Sequence, residues 1–309
     1  MGKSSTPRNT SRFLDPLQSW RTLADGFTVR NRHWPGPSHP ELSADCSDKE
    51  PGSLRCFSLN VAHGRHMSTH QALLRRSTSE ANVARIGDVI SQVGADVVAL
   101  QEADGPSTWS GNFDHVATLA TQSGLEHHVH GHHNPFSVGR LKVASGTALL
   151  SRNPLGQPTS YPFNSNWRDT KGFVVAAVQV PQWNGLEIDV ISVHLDFLRP
   201  ALRHRQILQM AEVLQWRRRP RVMLGDLNCS LSRERSSFKL LEDMLDLRAW
   251  SPERNQPTFP VHRPSRRIDW ILASSEIEFA DYRTLRTPLS DHLGVVADLR
   301  LSGAATDAK

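Results

Sequence analysis

Cysteine is scarce in this chain: Cys46, Cys56 and Cys229 are the only three in 309 residues. The number is odd and the spacing fits no metal motif, which argues against a disulfide scaffold and fits a reducing, cytoplasmic setting. Cys56 and Cys229 then read as small core residues near strand ends. Long apolar runs are also lacking, since none approaches the roughly 18 residues that span a bilayer. The N-terminus, MGKSSTPRNTSRFLDPLQSW, has no apolar middle of the kind a secretory signal needs. Its first six residues do match an N-myristoylation pattern, a short match that arises often by chance. Neither GxGxxG nor GxxxxGK[ST] occurs, so a glycine loop that cradles a nucleotide is not supported. No internal repeat is apparent.

Excess charge is missing from most of the chain as well. The formal charge is +5, but residues 1–33 hold Lys3, Arg8, Arg12, Arg21, Arg30 and Arg32 against Asp15 and Asp25. That segment carries +4 and leaves only +1 for the rest, so a nucleic-acid footprint across the body is not indicated. What is present is an ordinary globular composition, 38% hydrophobic and 22% charged, long enough for a sizeable core.

Phe13, Leu17, Trp20 and Leu23 keep a helical spacing, and 33–53 is a Pro/Ser/Gly-rich linker or wrap. Residues 1–53 therefore read as a basic extension, 54–303 as the folded domain and 304–309 as a tail. Strands are predicted at 54–62, 96–102, 144–151, 172–180, 186–197, 221–228, 267–274, 277–285 and 293–301. Helices are predicted at 81–94, 199–219 and roughly 237–249. Strand-rich stretches with few helices predict two packed sheets with helices outside, an α+β or mixed α/β fold and not a Rossmann alternation.

Polar side chains recur where these strands end. LNV carries Asn60, ALQE ends on Glu102, ISVH on His194, and VMLGDLN on Asp226 and Asn228. RIDWIL buries Asp269 in an apolar run, and LSDH places Asp291 and His292 before the last strand. One such acid is ordinarily a cap or turn residue. If the strands converge, so many acids need a cation, and oxygen donors without cysteine suit Mg²⁺ or Mn²⁺ better than Zn²⁺.

The set resembles the endonuclease/exonuclease/phosphatase superfamily, the DNase I-like proteins. The matching pieces are LNVAHG (59–64), ALQEAD (99–104), GTALLSR (146–152), SVHLDF (192–197), LGDLN (224–228), RIDWIL (267–272) and LSDH (289–292), in the family's order. The resemblance implies a four-layer α/β sandwich, two packed and mainly antiparallel sheets flanked by helices, with a divalent-metal site at one edge. It implies Glu102 as principal metal ligand, supported by Asn60 and by Asp291 directly or through water. It implies His292 as general base or phosphate-orienting imidazole, with Asp269 as its partner. Asp226 would position or deprotonate the attacking water, Asn228 would bind the scissile phosphate, and His194 would stabilise the phosphate or protonate the leaving oxygen.

The implied activity is Mg²⁺-dependent hydrolysis of a phosphodiester, with a lipid head group or small phosphoester favoured. A DNA or RNA nuclease of the same fold is the alternative, and a noncatalytic protein retaining the fold is the third reading. Ser-Val-His194-Leu stands where the exonuclease III-type branch has Tyr-x-Pro-Asn, which argues against an abasic-site nuclease. A monomer without a transmembrane segment is expected, with nucleic acid and a peripheral membrane surface both open as contacts. Among weaker signals, His128, His130 and His132 could share one strand face as a Zn²⁺ site or as solvated imidazoles. In WSGNFDHV, Trp109, Asn112, Asp114 and His115 either line the cleft or start a helix capped by Asn112. Arg140, Arg168 and Lys171 are candidate phosphate contacts or surface charges. The run Arg217–Arg221 is either an anion patch or a helix end.

Overall fold

A computed structural model describes residues 48–133, 135–163, 171–251, 254 and 256–303. The helix expected within 13–23, Cys46, most of the linker, Arg168 and the tail lie outside the described residues. The chain runs β1 (Leu54–Asn60), α1 (Arg76–Val93), β2 (Val97–Asp104), α2 (His115–Ser123), β3 (His127–His132), β4 (Phe136–Val138), β5 (Leu141–Val143), β6 (Ser145–Ser151), β7 (Leu155–Pro162), β8 (Gly172–Val180) and β9 (Leu186–His194). It continues through α3 (Pro200–Leu214), β10 (Arg221–Asp226), α4 (Arg235–Leu245), β11 (Arg248–Ala249), β12 (Asp269–Ala273), β13 (Ile277–Thr284) and β14 (Val295–Leu301).

The strands form two six-stranded sheets, ordered β13-β14-β1-β2-β6-β3 and β11-β12-β10-β9-β8-β7, beside a small β4–β5 hairpin. Each large sheet is antiparallel except for one central parallel pair, β1 with β2 and β9 with β10. A parallel pair needs a crossover, and α1 and α3 supply them. Leu54, Cys56, Val97, Val174, Val190, Val222 and Leu224 pack between the sheets. Phe57, Leu59, Val98 and Leu100 face α1 and α2, while Val175, Ile191, Met223 and Trp270 face α3 and α4. Alternate residues of one strand thus enter different layers, which is the period-2 logic of a strand buried on both faces. The four-layer sandwich implied by the resemblance is the observed fold.

Local chemistry sets the element ends. Helix α1 stops at Gly94, which is left-handed (φ +66°) and returns its N–H to Ser91 O. Helix α2 starts at Asp114, whose carboxylate accepts the Ala117 N–H, so the cap is Asp114 and not Asn112. Helix α3 ends at Leu214, five residues short of the predicted 219, and two arginines of the basic run that follows are paired with acids of the neighbouring strand. Arg217 pairs with Asp189 at 3.0 Å and Arg219 with Glu187 at 2.6 Å. Helix α4 ends at Leu245, and the last residues of the predicted helix instead add β11 to the sheet edge. Cys56 and Cys229 are both buried, as expected.

At Gly225 the parallel pair closes to backbone contact, and a Cβ there would stand 2.0 Å from Val193 O. Gly225→Ala is therefore expected to part β9 from β10 and to destabilise the protein by about 3 kcal/mol, read as a lowered urea midpoint. An unchanged midpoint would contradict this account of the strand pair.

Candidate active site

Parallel strands end on the same side, so the C-termini of both central pairs share one rim. Asn60 is in register with Gln101, and Asp226 is in register with His194 on one side and Asp269 on the other. Among the bonds that join the sheets there, Asn60 Nδ2 donates to Asp226 Oδ2 at 3.1 Å. The other Asp226 oxygen accepts the Asn228 N–H at 2.9 Å. His194 Nε2 stands 3.3 Å and His292 Nε2 3.9 Å from Asp226 Oδ2.

Asp226 is 1% exposed, so its charge has to be met by these neighbours. Burial alone would raise its pKa, but the His194 hydrogen bond and the His194, His292 and Lys171 charges hold it well below the usual carboxylate range. Asp269, fully buried, faces His292 Nδ1 at 2.9 Å and accepts Thr258 Oγ1 at 2.5 Å. Burial opposes a charge on His292, yet the carboxylates of Asp269, Asp226 and Asp291 push its pKa up to about 10. Burial also raises Asp269, against the pull of the His292 imidazolium. His194 goes the other way: burial and the Lys171 ammonium lower it and outweigh Asp226. The two imidazoles beside Asp226 are thus pushed in opposite directions, His292 up and His194 down.

Glu102 occupies a bulge. The β2–β6 register shifts between Leu100 and Ala103, and Glu102 is left-handed at φ +50°. Gln101 keeps its inward position, donating to Ser192 Oγ, while the bulge aims Glu102 into the cleft. The Glu102 carboxylate is faced by His63 Nε2 at 3.5 Å, Lys171 Nζ at 3.7 Å and His194 Nε2 at 4.0 Å. Burial opposes its charge, but His63, Lys171 and His194 lower its pKa to about 2. Lys171 Nζ also sits 2.5 Å from His194 Nε2.

The structure therefore brings Asn60, Glu102, His194, Asp226, Asn228, Asp269 and His292 to one rim. Asn228, left-handed at φ +52°, directs its amide to Leu195 O at 3.0 Å. Asp291 stands apart: its carboxylate accepts Arg65 Nη2 at 2.6 Å and Ser290 Oγ at 3.1 Å, and it reaches the cluster through its charge on His292. Among the described residues, Asp226, Asp269 and His292 are the one cluster of three whose ligand-type atoms lie within 4.8 Å of one another. The histidine tract does run along β3, but His130 binds Ala103 O and no third ligand gathers there among the described residues.

Sequence reasoning missed His63, Asp104, Arg65 and Thr258. His63 and Asp104 lay inside quoted motifs, LNVAHG and ALQEAD, and an aspartate two residues after Glu102 on one strand was the available signal. Trp109 proved to be a partner of Asp104, and His115 is fully buried, with Nε2 3.1 Å from Ser110 O.

Several solved structures share this fold. An endonuclease/exonuclease/phosphatase from Beutenbergia cavernae is 23% identical with a TM-score of 0.60, the match covering 82% of this chain and 72% of that one. Sphingomyelinase C from Streptomyces griseocarneus is 18% identical with a TM-score of 0.55, covering 80% and 99%. The human Nocturnin catalytic domain is 16% identical with a TM-score of 0.60, covering 82% and 97%. No curated protein matches the sequence. Residues 57–292 match the Endonuclease/Exonuclease/phosphatase family across most of the folded body, and the chain belongs to that family.

Proposed function

We propose that this rim hydrolyses a phosphodiester with a divalent cation, Mg²⁺ or Mn²⁺, by in-line attack of water. The observation that carries the reading is Asp226, a buried carboxylate with His194 Nε2 at 3.3 Å, His292 Nε2 at 3.9 Å and Asn60 Nδ2 at 3.1 Å. Asp226 orients the water and draws its proton. His292, held by Asp269, presents a fixed N–H to the oxygens on which negative charge accumulates. His194 and Lys171 face the leaving oxygen, and Asn228 contacts the phosphate.

The donor set fits a hard cation at Glu102. Its carboxylate accepts no hydrogen bond from a described residue, although His63, Lys171 and His194 nitrogens stand 3.5–4.0 Å away. Glu102 would hold the ion, with Asn60 and Asp291 supporting it directly or through water. A cation there would neutralise charge on the nonbridging oxygens. The rest falls to protein side chains that the two sheets hold in place.

A lipid head group or small phosphoester is the favoured substrate, because the chain outside residues 1–33 carries only +1. The presence of a protein named as a sphingomyelinase among the fold relatives is consistent with that preference. A nuclease of the same fold is the second reading. On the first reading residues 54–303 are the catalytic domain of a cytoplasmic monomer and 1–53 an extension that leaves membrane contact open.

Glu102→Ala, Asp226→Ala and His292→Ala should each lower kcat/KM by about 10²–10³-fold, with unchanged far-ultraviolet circular dichroism. Near-normal turnover in all three would remove the proposal. A panel of bis-p-nitrophenyl phosphate, phospholipid vesicles, single-stranded RNA and plasmid, each with Mg²⁺, Mn²⁺ or EDTA, should show EDTA-sensitive turnover of the first two. Plasmid nicking at low enzyme would move the assignment to a nuclease.

His292 also makes a stability prediction. Its pKa rises from about 6.5 unfolded to about 10 folded, so its contribution is full below about pH 6.5 and is lost as pH rises through 10. Urea unfolding of metal-free protein should weaken between pH 7 and about 10, and His292→Gln should flatten that slope. An equal slope in both proteins would refute the raised pKa.

A further inference from the structure

We propose that His63 is a metal ligand, making the Glu102 centre a mixed nitrogen–oxygen site that prefers Mn²⁺ or Co²⁺ to Mg²⁺. The inference rests on the hydrolytic reading only in taking Glu102 as the carboxylate ligand. It starts from which donor atoms beside Glu102 are already committed. Asn60 uses both ends of its amide: Oδ1 accepts the Ala62 N–H at 3.0 Å and Nδ2 donates to Asp226. Asp291 is held by Arg65 and Ser290. His63 Nε2, by contrast, has no closer described polar partner than Glu102 Oε2 at 3.5 Å. Two donor atoms bound to one ion at about 2.1 Å each stand roughly 3.0–3.5 Å apart, so this pair already has ligand spacing.

The other side of the ring is built as metal-bound histidines are usually supported. Nδ1–H donates to Asp104 Oδ1 at 2.9 Å, and Asp104 Oδ2 accepts the Trp109 indole N–H at 2.8 Å. Asp104 is fully buried. A carboxylate on Nδ1 fixes the tautomer that leaves Nε2 a lone pair for the ion, and it strengthens that donor. The ring is also held from its backbone. Ala62, His63 and Gly64 are left-handed in succession (φ +46°, +53° and +68°), and Asn60 pins the turn through the Ala62 N–H. A Cβ on Gly64 would lie 3.0 Å from Val83 Cγ2 and 3.1 Å from His115 Cε1, so that turn packs tightly on α1 and α2.

The Asp226, Asp269 and His292 cluster is the competing location. Its atoms already face one another, Asn60, Asn228 and Thr258, so an ion is not needed to explain it. An imidazole in place of a water or carboxylate raises affinity for first-row transition ions and does little for Mg²⁺.

The test uses metal-stripped full-length protein, isothermal titration with Mn²⁺ and Mg²⁺, and pulsed electron paramagnetic resonance of the Mn²⁺ form. The expected result is a ¹⁴N coupling in the unsubstituted protein that persists in His194→Ala and disappears in His63→Ala. Mn²⁺ affinity should fall about 10–100-fold in His63→Ala and about 10-fold in Asp104→Asn, with Mg²⁺ changing less than about threefold. Mn²⁺ bound without nitrogen coupling, coupling that survives His63→Ala, or parallel losses for both metals would overturn this proposal and leave the hydrolytic reading intact. Failure of the unsubstituted protein to bind Mn²⁺, with turnover insensitive to EDTA, would overturn both. If His63→Ala does not fold, the coupling in the unsubstituted protein and the Asp104→Asn titration still decide.

Discussion

The carboxylate of Asp226 is the point on which the rim depends. It is almost wholly buried, yet it takes a hydrogen bond from Asn60 of the opposite sheet at that edge. An ion in that position costs several kcal/mol unless donors surround it. The sequence meets the cost from both sheets at once, with Asn60 from β1, His194 from β9 and the Asn228 N–H from the turn after β10. Gly225 lets β10 approach β9 closely enough for that register to hold.

Around this carboxylate the charges alternate in sign. Two aspartate–imidazole pairs flank the cleft: Asp269 of β12 meets His292 from the β13–β14 connection of the other sheet, and Asp104 of β2 meets His63 from the turn after β1 of its own sheet. His63 is pulled down by burial but raised overall by Asp104 and Glu102, as His292 is raised by its own carboxylates. Among the described residues His194 has no aspartate on its far nitrogen, and Lys171 stands beside it, so it stays low. Three histidines in one cleft thus have different proton affinities, set by their neighbours and not by residue type.

The backbone shows the same economy. Glu102, His63 and Asn228 are all left-handed, a conformation that costs a non-glycine residue about 1–2 kcal/mol. Sheets packed on both faces can sustain that cost, and the return is aim: a regular strand at Glu102 would have sent its side chain along the alternating pattern of β2 instead of into the cleft. The surface charges follow a plainer rule. Arg217 and Arg219, a candidate anion patch by sequence, are matched by Asp189 and Glu187 across neighbouring strands.

Much of this was legible in the sequence. Period-2 apolar runs ending on Asn60, Glu102, His194 and Asp226 were local signals, because burial and strand geometry act over a few residues. Helix ends were less legible: α3 and α4 stop early because Arg217, Arg219 and the β11 residues find partners in the sheet. What only the tertiary structure decided is who faces whom. His63 meets Asp104 across 41 positions, Arg65 takes Asp291 across 226, and Asn60 reaches Asp226 across 166. Those pairings depend on sheet order, on the register of two parallel strand pairs and on a bulge at Glu102. Composition and periodicity place a polar residue at a strand's end, whereas the opposing charge arrives from another strand, along a path that no local pattern encodes.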